Sequence, residues 1–359
     1  MAGSTTTTTT IAAVLETTKK ETPVNVLEGG ALDEQYYNLQ EDELAFFKAQ
    51  TGIQNEGELK RHIMKAQEDA YKSDVWSGVL RPYEAHFSTK GKGMSHHFDA
   101  MLTTLDPVCR SIHIRVSAAL LSPSILKISR LPAYKQLLEL GQKRAGAMFL
   151  DIGCCFGNDV RKAIVDGFPA HQALASDLKA EFWDLGHHLF NSTPSSFPVK
   201  FLPGDALDAA FLEPGPIFTS PPAEAAPALT TLETLSPLRG HVSAIHASSF
   251  FHLFDEPTQT ALSRAVAGLL SPEPGSVIFG VHGGRPEKGL RIEQGAPNAR
   301  GNYMFCHCPE SWAALWDGEI FPKGTVRVEA TLINVKRDMR GPVLPGTQFW
   351  ALVWSVTRL

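Results

Sequence analysis

Two patterns of apolar residues divide the chain near residue 146. Before it, apolar side chains recur at helical spacing in Glu41 to Gln50 and in Glu56 to Trp76, and a short helix is expected between Leu131 and Leu140. After it, short apolar runs alternate with helical segments, which is typical of a parallel sheet with crossover helices. The pattern therefore predicts an α/β fold that follows a helical region.

Five apolar runs predict the parallel strands. They cover residues 148–151, 173–177, 199–202, 242–246 and 276–280. Helices are predicted over residues 159–168, 182–190, 228–235, 258–270 and 309–320. Two longer β-like segments, Thr325 to Val335 and Phe349 to Thr357, then form a hairpin-like pair. An ordinary dinucleotide fold keeps adding parallel strands, so this ending is unlike that fold.

The most informative segment covers residues 149–161, where an apolar strand leads into a turn and then a helix. In the turn, Gly153 permits a positive φ and lets a ligand approach the backbone, and the helix after Gly157 presents unpaired N–H groups. The dinucleotide fingerprint G-x-G-x-x-G requires glycine where this chain has Cys155 and Asn158. The spacing therefore argues against a pyrophosphate ligand.

Acidic residues follow three successive apolar runs. Asp151 can face a cationic part of a ligand, and Asp177 stands 20 residues beyond Gly157, where a carboxylate accepts hydrogen bonds from ribose hydroxyls. Asp205 follows the third run and can accept an adenine amino group. The predicted cofactor-binding set is Asp151, Gly153, Cys154, Gly157, Asp177, Leu178, Asp205, Ala206 and His246. The alternative is that the glycines only form a tight turn and the acids cap helices.

Two histidines are candidate catalytic residues. His246 closes the fourth run, at the carboxyl edge where open sheets bind ligands, and His252 follows six residues later. Each is a candidate general base, His246 is also a candidate hydrogen-bond contact to a ligand, and a buried structural role is the alternative for both. Phe250, Phe251 and Phe254 fit either an aromatic substrate wall or core packing.

Composition limits the other classes of protein. Hydrophobic residues make up 43% and charged residues 20%, as in a soluble globular protein, and the formal charge of -5 gives no reason to expect nucleic acid or an anionic membrane. The start of the chain lacks the parts of a secretory signal, so residues 1–30 are expected to be a disordered tail and the protein cytoplasmic. The five cysteines lack CxxC spacing, and no metal is expected at Cys306-His307-Cys308.

Five segments carry a resemblance to known proteins. They are Asp151-Ile-Gly-Cys-Cys-Phe-Gly-Asn-Asp-Val-Arg161, Ala175-Ser-Asp-Leu178, Glu181-Phe-Trp-Asp-Leu-Gly186, Ser243-Ala-Ile-His-Ala-Ser-Ser-Phe-Phe-His-Leu-Phe254 and Ser311-Trp312. They resemble the fungal secondary-metabolite methyltransferases, which include those of austinol-type meroterpenoid clusters. The resemblance implies a Rossmann-like class I methyltransferase fold, with a seven-stranded, mostly parallel sheet and an antiparallel C-terminal strand. It also implies S-adenosylmethionine as the methyl donor and a small molecule as the acceptor.

The expected division of the chain is a tail over residues 1–30, a helical cap that covers the substrate over 31–145, and a methyltransferase domain over 146–359. Where the family carries a Tyr-Pro-Cys-Ile-like motif, this chain has Arg81-Pro-Tyr-Glu-Ala-His86 and an insertion-like stretch. Ser220-Pro-Pro-Ala223 is similar to a tetrapeptide of amino methyltransferases but lacks its aromatic fourth residue, and a loop is expected there.

The resemblance, together with these residues, implies methyl transfer to a hydroxyl or carboxyl oxygen of a small molecule in fungal secondary metabolism. Holding the acceptor in line with an activated methyl carbon supplies much of such catalysis. A phenol benefits from a general base, whereas a carboxylate does not. The alternative is a catalytically silent, methyltransferase-like regulator that still binds S-adenosylmethionine.

Overall fold

A computed structural model of the chain describes residue 37 and residues 39–79, 126–292, 303–335 and 348–359, with only the backbone considered over 70–79. The predicted tail over residues 1–30 and the divergent segment at 81–86 lie outside these residues. Among the described residues, no helix combines the length and the apolar composition that a membrane crossing requires.

The described strands are β1 (Phe149–Ile152), β2 (Ala173–Asp177), β3 (Lys200–Pro203), β4 (Ala244–His246), β5 (Val277–Gly284), β6 (Gly289–Leu290), β7 (Phe305–Cys306), β8 (Val326–Val335) and β9 (Phe349–Arg358). Seven of them form one sheet in the order β3-β2-β1-β4-β5-β9-β8, and β6 pairs with β7. Strands β1 to β5 pair in parallel, whereas β9 runs antiparallel to both of its neighbours. The predicted Rossmann-like class I methyltransferase sheet is confirmed.

The described α-helices are α1 (Glu41–Thr51), α2 (Glu56–Val79), α3 (Tyr134–Lys143), α4 (Asn158–Val165), α5 (Ala180–Leu189), α6 (Glu256–Leu269) and α7 (Pro309–Trp316). The helix predicted over residues 228–235 is wrong, since short 3-10 turns at Leu229–Thr231 and Ser236–Leu238 occupy this region. The Leu235 N–H donates to the Phe211 carbonyl at 3.0 Å instead of to a helical carbonyl, and Pro237 disfavours helical backbone before it.

Successive residues of the central strands face opposite layers of the core. Leu150 and Ile245 belong to a cluster that includes side chains of α6 and α7, whereas Phe149 and Ala244 belong to one that includes side chains of α3 and α4. All four residues of β1 are buried, because helices cover both faces of a parallel sheet. The carboxyl end of β1 is therefore buried.

The two N-terminal helices, α1 and α2, pack beside the glycine-containing turn. Phe47 of α1 stacks on Phe190 with ring centroids 5.3 Å apart. Ile63 of α2 shares a third hydrophobic cluster with Phe156, which lies within the turn between β1 and α4. The helices predicted over residues 41–50 and 56–76 are therefore present, and they contact the segment predicted to bind a ligand.

Candidate functional site

The turn between β1 and α4 requires glycine at two positions. Gly153 and Gly157 have φ values of 70° and 73°, and the Gly153 N–H donates to the Ser176 carbonyl at 2.8 Å. A Cβ on Gly153 would lie 2.9 Å from the Phe250 ring, and one on Gly157 would lie 2.6 Å from the Trp183 ring. Both the left-handed backbone and the packing against aromatic rings therefore require glycine here.

Asp177, at the end of β2, is bound to the same turn. Its Oδ2 accepts from the Cys155 N–H at 2.9 Å, and its Oδ1 accepts from the Lys179 N–H at 3.0 Å. Burial raises the pKa of Asp177, and these backbone N–H groups act in the opposite direction. Burial, followed by the charges of Asp177 and Asp151, also raises the pKa of Cys154 well above its usual value, so this thiol stays protonated. Leu178 is 59% exposed.

Asp151, His246 and Ser248 form a buried chain of hydrogen bonds. His246 Nδ1 lies 2.8 Å from Asp151 Oδ1, and His246 Nε2 lies 2.7 Å from Ser248 Oγ. The exposed fractions are 2% for Asp151, 1% for His246 and 8% for Ser248. The pair forms because β1 and β4 are adjacent parallel strands in which Asp151 and His246 share one register position.

The pKa of His246 reflects opposing influences. Burial lowers it, while the Asp151 carboxylate and, more weakly, that of Asp159 raise it, and the net direction is upward. Since both ring nitrogens are already engaged, His246 can act as a general base toward a substrate only if Ser248 releases Nε2. In this structure, His246 is therefore a hydrogen-bond partner of Asp151.

Two buried polar atoms lie beside the turn. Asp151 Oδ2 and Asn158 Oδ1 are buried, and neither has a hydrogen-bond partner among the described residues. A buried carboxylate oxygen without a donor is costly unless a cation or another donor completes it. This end of β1 is therefore suited to a cationic group of a bound ligand.

His252 lies in the 3-10 turn Phe251–Leu253 and is half-buried. Its Nδ1 accepts from the Gly283 N–H at 2.8 Å, which ties the turn to β5. Phe251 is fully buried against Trp312 at 5.3 Å between ring centroids and is a core residue, whereas Phe250 and Phe254 are only partly buried. The aromatic run thus divides into one core residue and two residues that remain partly accessible.

Asp205 and Ala206 follow β3. The Gly204 N–H donates to the Asp177 carbonyl at 3.0 Å, which joins the ends of β2 and β3. Asp205 is exposed, and its Oδ1 accepts from the Leu207 N–H at 2.9 Å. Asp151, Asp177 and Asp205 therefore stand at the carboxyl ends of three neighbouring strands, as the sequence pattern predicts.

Sequence reasoning missed three polar residues near this edge. Ser248 lies two positions beyond His246, a spacing that places both side chains on one face of extended chain and is a usable signal. Lys127 Nζ donates to Ser249 Oγ at 3.0 Å, although 122 residues separate the two. No local sequence pattern connects residues so far apart in the chain.

The Cys306-His307-Cys308 segment leads from β7 into α7. Cys308 caps α7 by accepting from the Ser311 N–H, and His307 Nδ1 lies 2.9 Å from Ser311 Oγ. Over the part of the chain that the structure describes, no group of three or more His, Cys, Asp or Glu side chains is arranged to hold a metal ion. Ser220-Pro-Pro-Ala223 is a loop, as expected.

The sheet order defines a class I methyltransferase fold, and comparison with known proteins identifies the family. A sequence-family model of the meroterpenoid methyltransferase N-terminal domain matches residues 33–78. The O-methyltransferase phiE of Fungal sp. (strain ATCC 74256) is 30% identical over 54% of this chain and 56% of its own length. The methyltransferase adrK of Penicillium rubens is 31% identical over 54% of this chain and 59% of its own length.

A longer match is to the methyltransferase ausD of Aspergillus calidoustus, which is 31% identical over 62% of this chain and 70% of its own length. The chain belongs to the family of fungal methyltransferases that contains ausD, adrK and phiE. It nevertheless spans less than two thirds of phiE and adrK, at 56% and 59% of their lengths.

Proposed function

We propose that the chain binds S-adenosylmethionine at the carboxyl ends of β1, β2 and β3. The observation that carries this proposal is the buried Asp151 Oδ2, a carboxylate oxygen without a partner among the described residues. It suits the ammonium of the methionine part. In the same proposal, Asp177 holds the ribose hydroxyls, Asp205 faces the adenine amino group, and Gly153, Cys154, Gly157, Leu178 and Ala206 line the ligand.

We propose further that the reaction is methyl transfer to an oxygen of a small molecule. The bound cofactor supplies an activated methyl group, so the chain's own task is to exclude water and hold the acceptor in line. Two relatives, phiE and the protein atr3 of Stereocaulon alpinum, are named O-methyltransferases, which supports oxygen as the acceptor atom. The packing of α1 and α2 beside the turn supports residues 31–145 as a cap on a domain over 146–359.

The acceptor oxygen is a hydroxyl or a carboxyl, and the two make different demands on His246. A phenol benefits from a base, which His246 can supply only when Ser248 releases its Nε2, and His252 is the second candidate base. A carboxyl group ionises well below neutral pH and needs no base. The engaged ring of His246 therefore supports a carboxyl acceptor, with a hydroxyl as the alternative.

Isothermal titration calorimetry of the full chain with S-adenosylhomocysteine tests the cofactor site. We expect the Asp177→Ala variant to bind about 10- to 100-fold more weakly, as the loss of one or two charge-assisted hydrogen bonds implies. Asp184→Ala, at an exposed position on α5, is the matched control and should bind like the wild type. Equal affinities in the two variants would remove Asp177 from the site.

A second experiment separates the enzyme from a silent regulator. The chain is incubated with methyl-labelled S-adenosylmethionine and a small-molecule extract of the producing organism, and the products are separated by mass. A labelled small molecule supports methyl transfer. Cofactor binding without any labelled product would instead favour the catalytically silent protein.

A further inference from the structure

We propose that Ser248 is a positioning residue that fixes the single ring proton of His246 on Nδ1 and so keeps the Asp151 carboxylate oriented and not paired with a histidine cation. The inference rests on the proposed function in one respect, since it takes Asp151 Oδ2 as the contact for the ammonium of S-adenosylmethionine. The hydrogen-bond chain itself is a property of the ligand-free protein.

The direction of the hydrogen-bond chain follows from its two ends, a backbone N–H and a carboxylate. The Val281 N–H of β5 donates to Ser248 Oγ at 3.2 Å, and a backbone N–H can only donate. At the other end, a carboxylate oxygen can only accept, so Asp151 Oδ1 takes its hydrogen bond from the Nδ1–H of His246. The Nε2 of the neutral ring then carries no proton, and the Ser248 hydroxyl donates to it over 2.7 Å. Nε2 therefore accepts, and the ring proton resides on Nδ1, which donates to Asp151 Oδ1 at 2.8 Å.

The charges around His246 work against this neutral ring. Asp151 on β1 and Asp159 on α4 favour the cation, whereas Lys127, from the turn before α3, opposes it. Phe279 of β5 adds only a ring contact, with centroids 5.3 Å apart. The Ser248 hydroxyl, as a donor to Nε2, stabilises the neutral ring against the two carboxylates.

This balance matters for a cationic ligand. When His246 is neutral, Asp151 retains a full negative charge for an ammonium group. When His246 takes a second proton, the ion pair that it forms with Asp151 cancels that charge. Ser248 therefore delays the loss of ligand affinity to a lower pH, and its removal should move the loss to a higher pH.

The test compares Ser248→Ala with Ser248→Thr, which keeps the hydroxyl. Ser243→Ala is the control, because Ser243 is also a buried serine but precedes β4 at the opposite end of the strand. Two quantities are measured. They are the 15N chemical shifts of His246 in ligand-free protein against pH, and the dissociation constant for S-adenosylhomocysteine over the same range.

We expect the wild type, Ser248→Thr and Ser243→Ala to show the Nδ1–H tautomer and to share one pH profile. In Ser248→Ala, His246 should become doubly protonated at a pH about one unit higher than in the wild type. Binding should be up to about tenfold weaker at the pH where the two profiles differ most. A structural role alone would weaken binding equally at every pH.

Each outcome decides the question. An Nε2–H tautomer in the wild type, or an unchanged titration of His246 in Ser248→Ala, overturns the inference. If the wild type fails to bind S-adenosylhomocysteine, the proposed function is wrong. The 15N chemical shifts then still test the hydrogen-bond chain, because they are measured without the ligand. Should Ser248→Ala not fold, Ser248→Cys replaces it, because its weaker S–H donor predicts an intermediate shift.

Discussion

His246 and His282 stand on adjacent strands and are almost equally buried, yet their surroundings differ. His246 is 1% exposed and bonded to a carboxylate, and its pKa is raised. His282 is 4% exposed and accepts at Nδ1 from the Trp354 indole N–H at 3.1 Å. Burial, and then the charges of His307 and Arg291, lower the pKa of His282 to about 3.

The difference teaches that the partner of a buried histidine, and not its depth, decides its role. An indole N–H can only donate, so His282 must accept at Nδ1 and is held neutral among Phe251, Trp312 and Trp354. A carboxylate partner instead gives His246 a link to a charged atom that a ligand can use. His282 belongs to the core, and His246 belongs to the candidate site.

The largest expected effect is a loss of stability in the aromatic cluster around His282. Trp354→Ala removes a 2% exposed ring that packs against Trp312 and Trp316, and we expect the free energy of unfolding to fall by about 3–5 kcal/mol. Urea denaturation measures this loss. The half-buried Trp350 on the same strand is the control and should cost less on substitution by alanine. Loss of cofactor affinity in folded Trp354→Ala protein would contradict the separation of the two regions.

A smaller change in stability but a larger change in function is expected at Asp151. Asp151→Ala leaves the His246 Nδ1–H without its acceptor, and we expect a loss of about 1–3 kcal/mol in the free energy of unfolding. Binding of S-adenosylhomocysteine should fall below detection in calorimetry. Asp208→Ala, in the exposed loop after β3, is the control for both measurements. Wild-type affinity in Asp151→Ala would show that this carboxylate does not hold the ligand.

The smallest effect, counted for one group over one pH unit, is a dependence of stability on pH. His282 and His307 have folded pKa values of about 3 and about 4, below the ordinary value of 6.5. Their neutral burial stabilises the fold above pH 6.5, and this stability is lost as the pH falls toward the folded values, by up to roughly 1.4 kcal/mol per pH unit for each group. His246, with its raised pKa, acts in the opposite direction.

Urea denaturation of the wild type at pH 7, 6 and 5 should therefore show decreasing stability. In His282→Gln, whose amide can still accept from Trp354, the decrease should be shallower. Identical slopes in the two proteins would mean that His282 takes up its proton without disturbing the fold.

Local patterns in the sequence were sufficient to predict the strands that form the candidate site. The apolar runs predicted the five parallel strands to within a few residues, except that β5 continues to Gly284. The sequence predicted that acids at 151, 177 and 205 follow three strands, and the structure places them at the carboxyl ends of β1, β2 and β3, which share one edge of the sheet. The helix over 228–235 failed because its backbone donor at Leu235 pairs with a distant carbonyl.

The pairing that makes His246 distinctive required the tertiary structure. Asp151 and His246 are 95 residues apart, and they meet only because β4 pairs directly with β1. Likewise, β9 enters the sheet between β5 and β8, which brings Trp354 to His282. Periodicity along a chain reports which face a residue occupies, whereas strand order is set by the packing of the whole core, and with it the partner that each buried histidine receives.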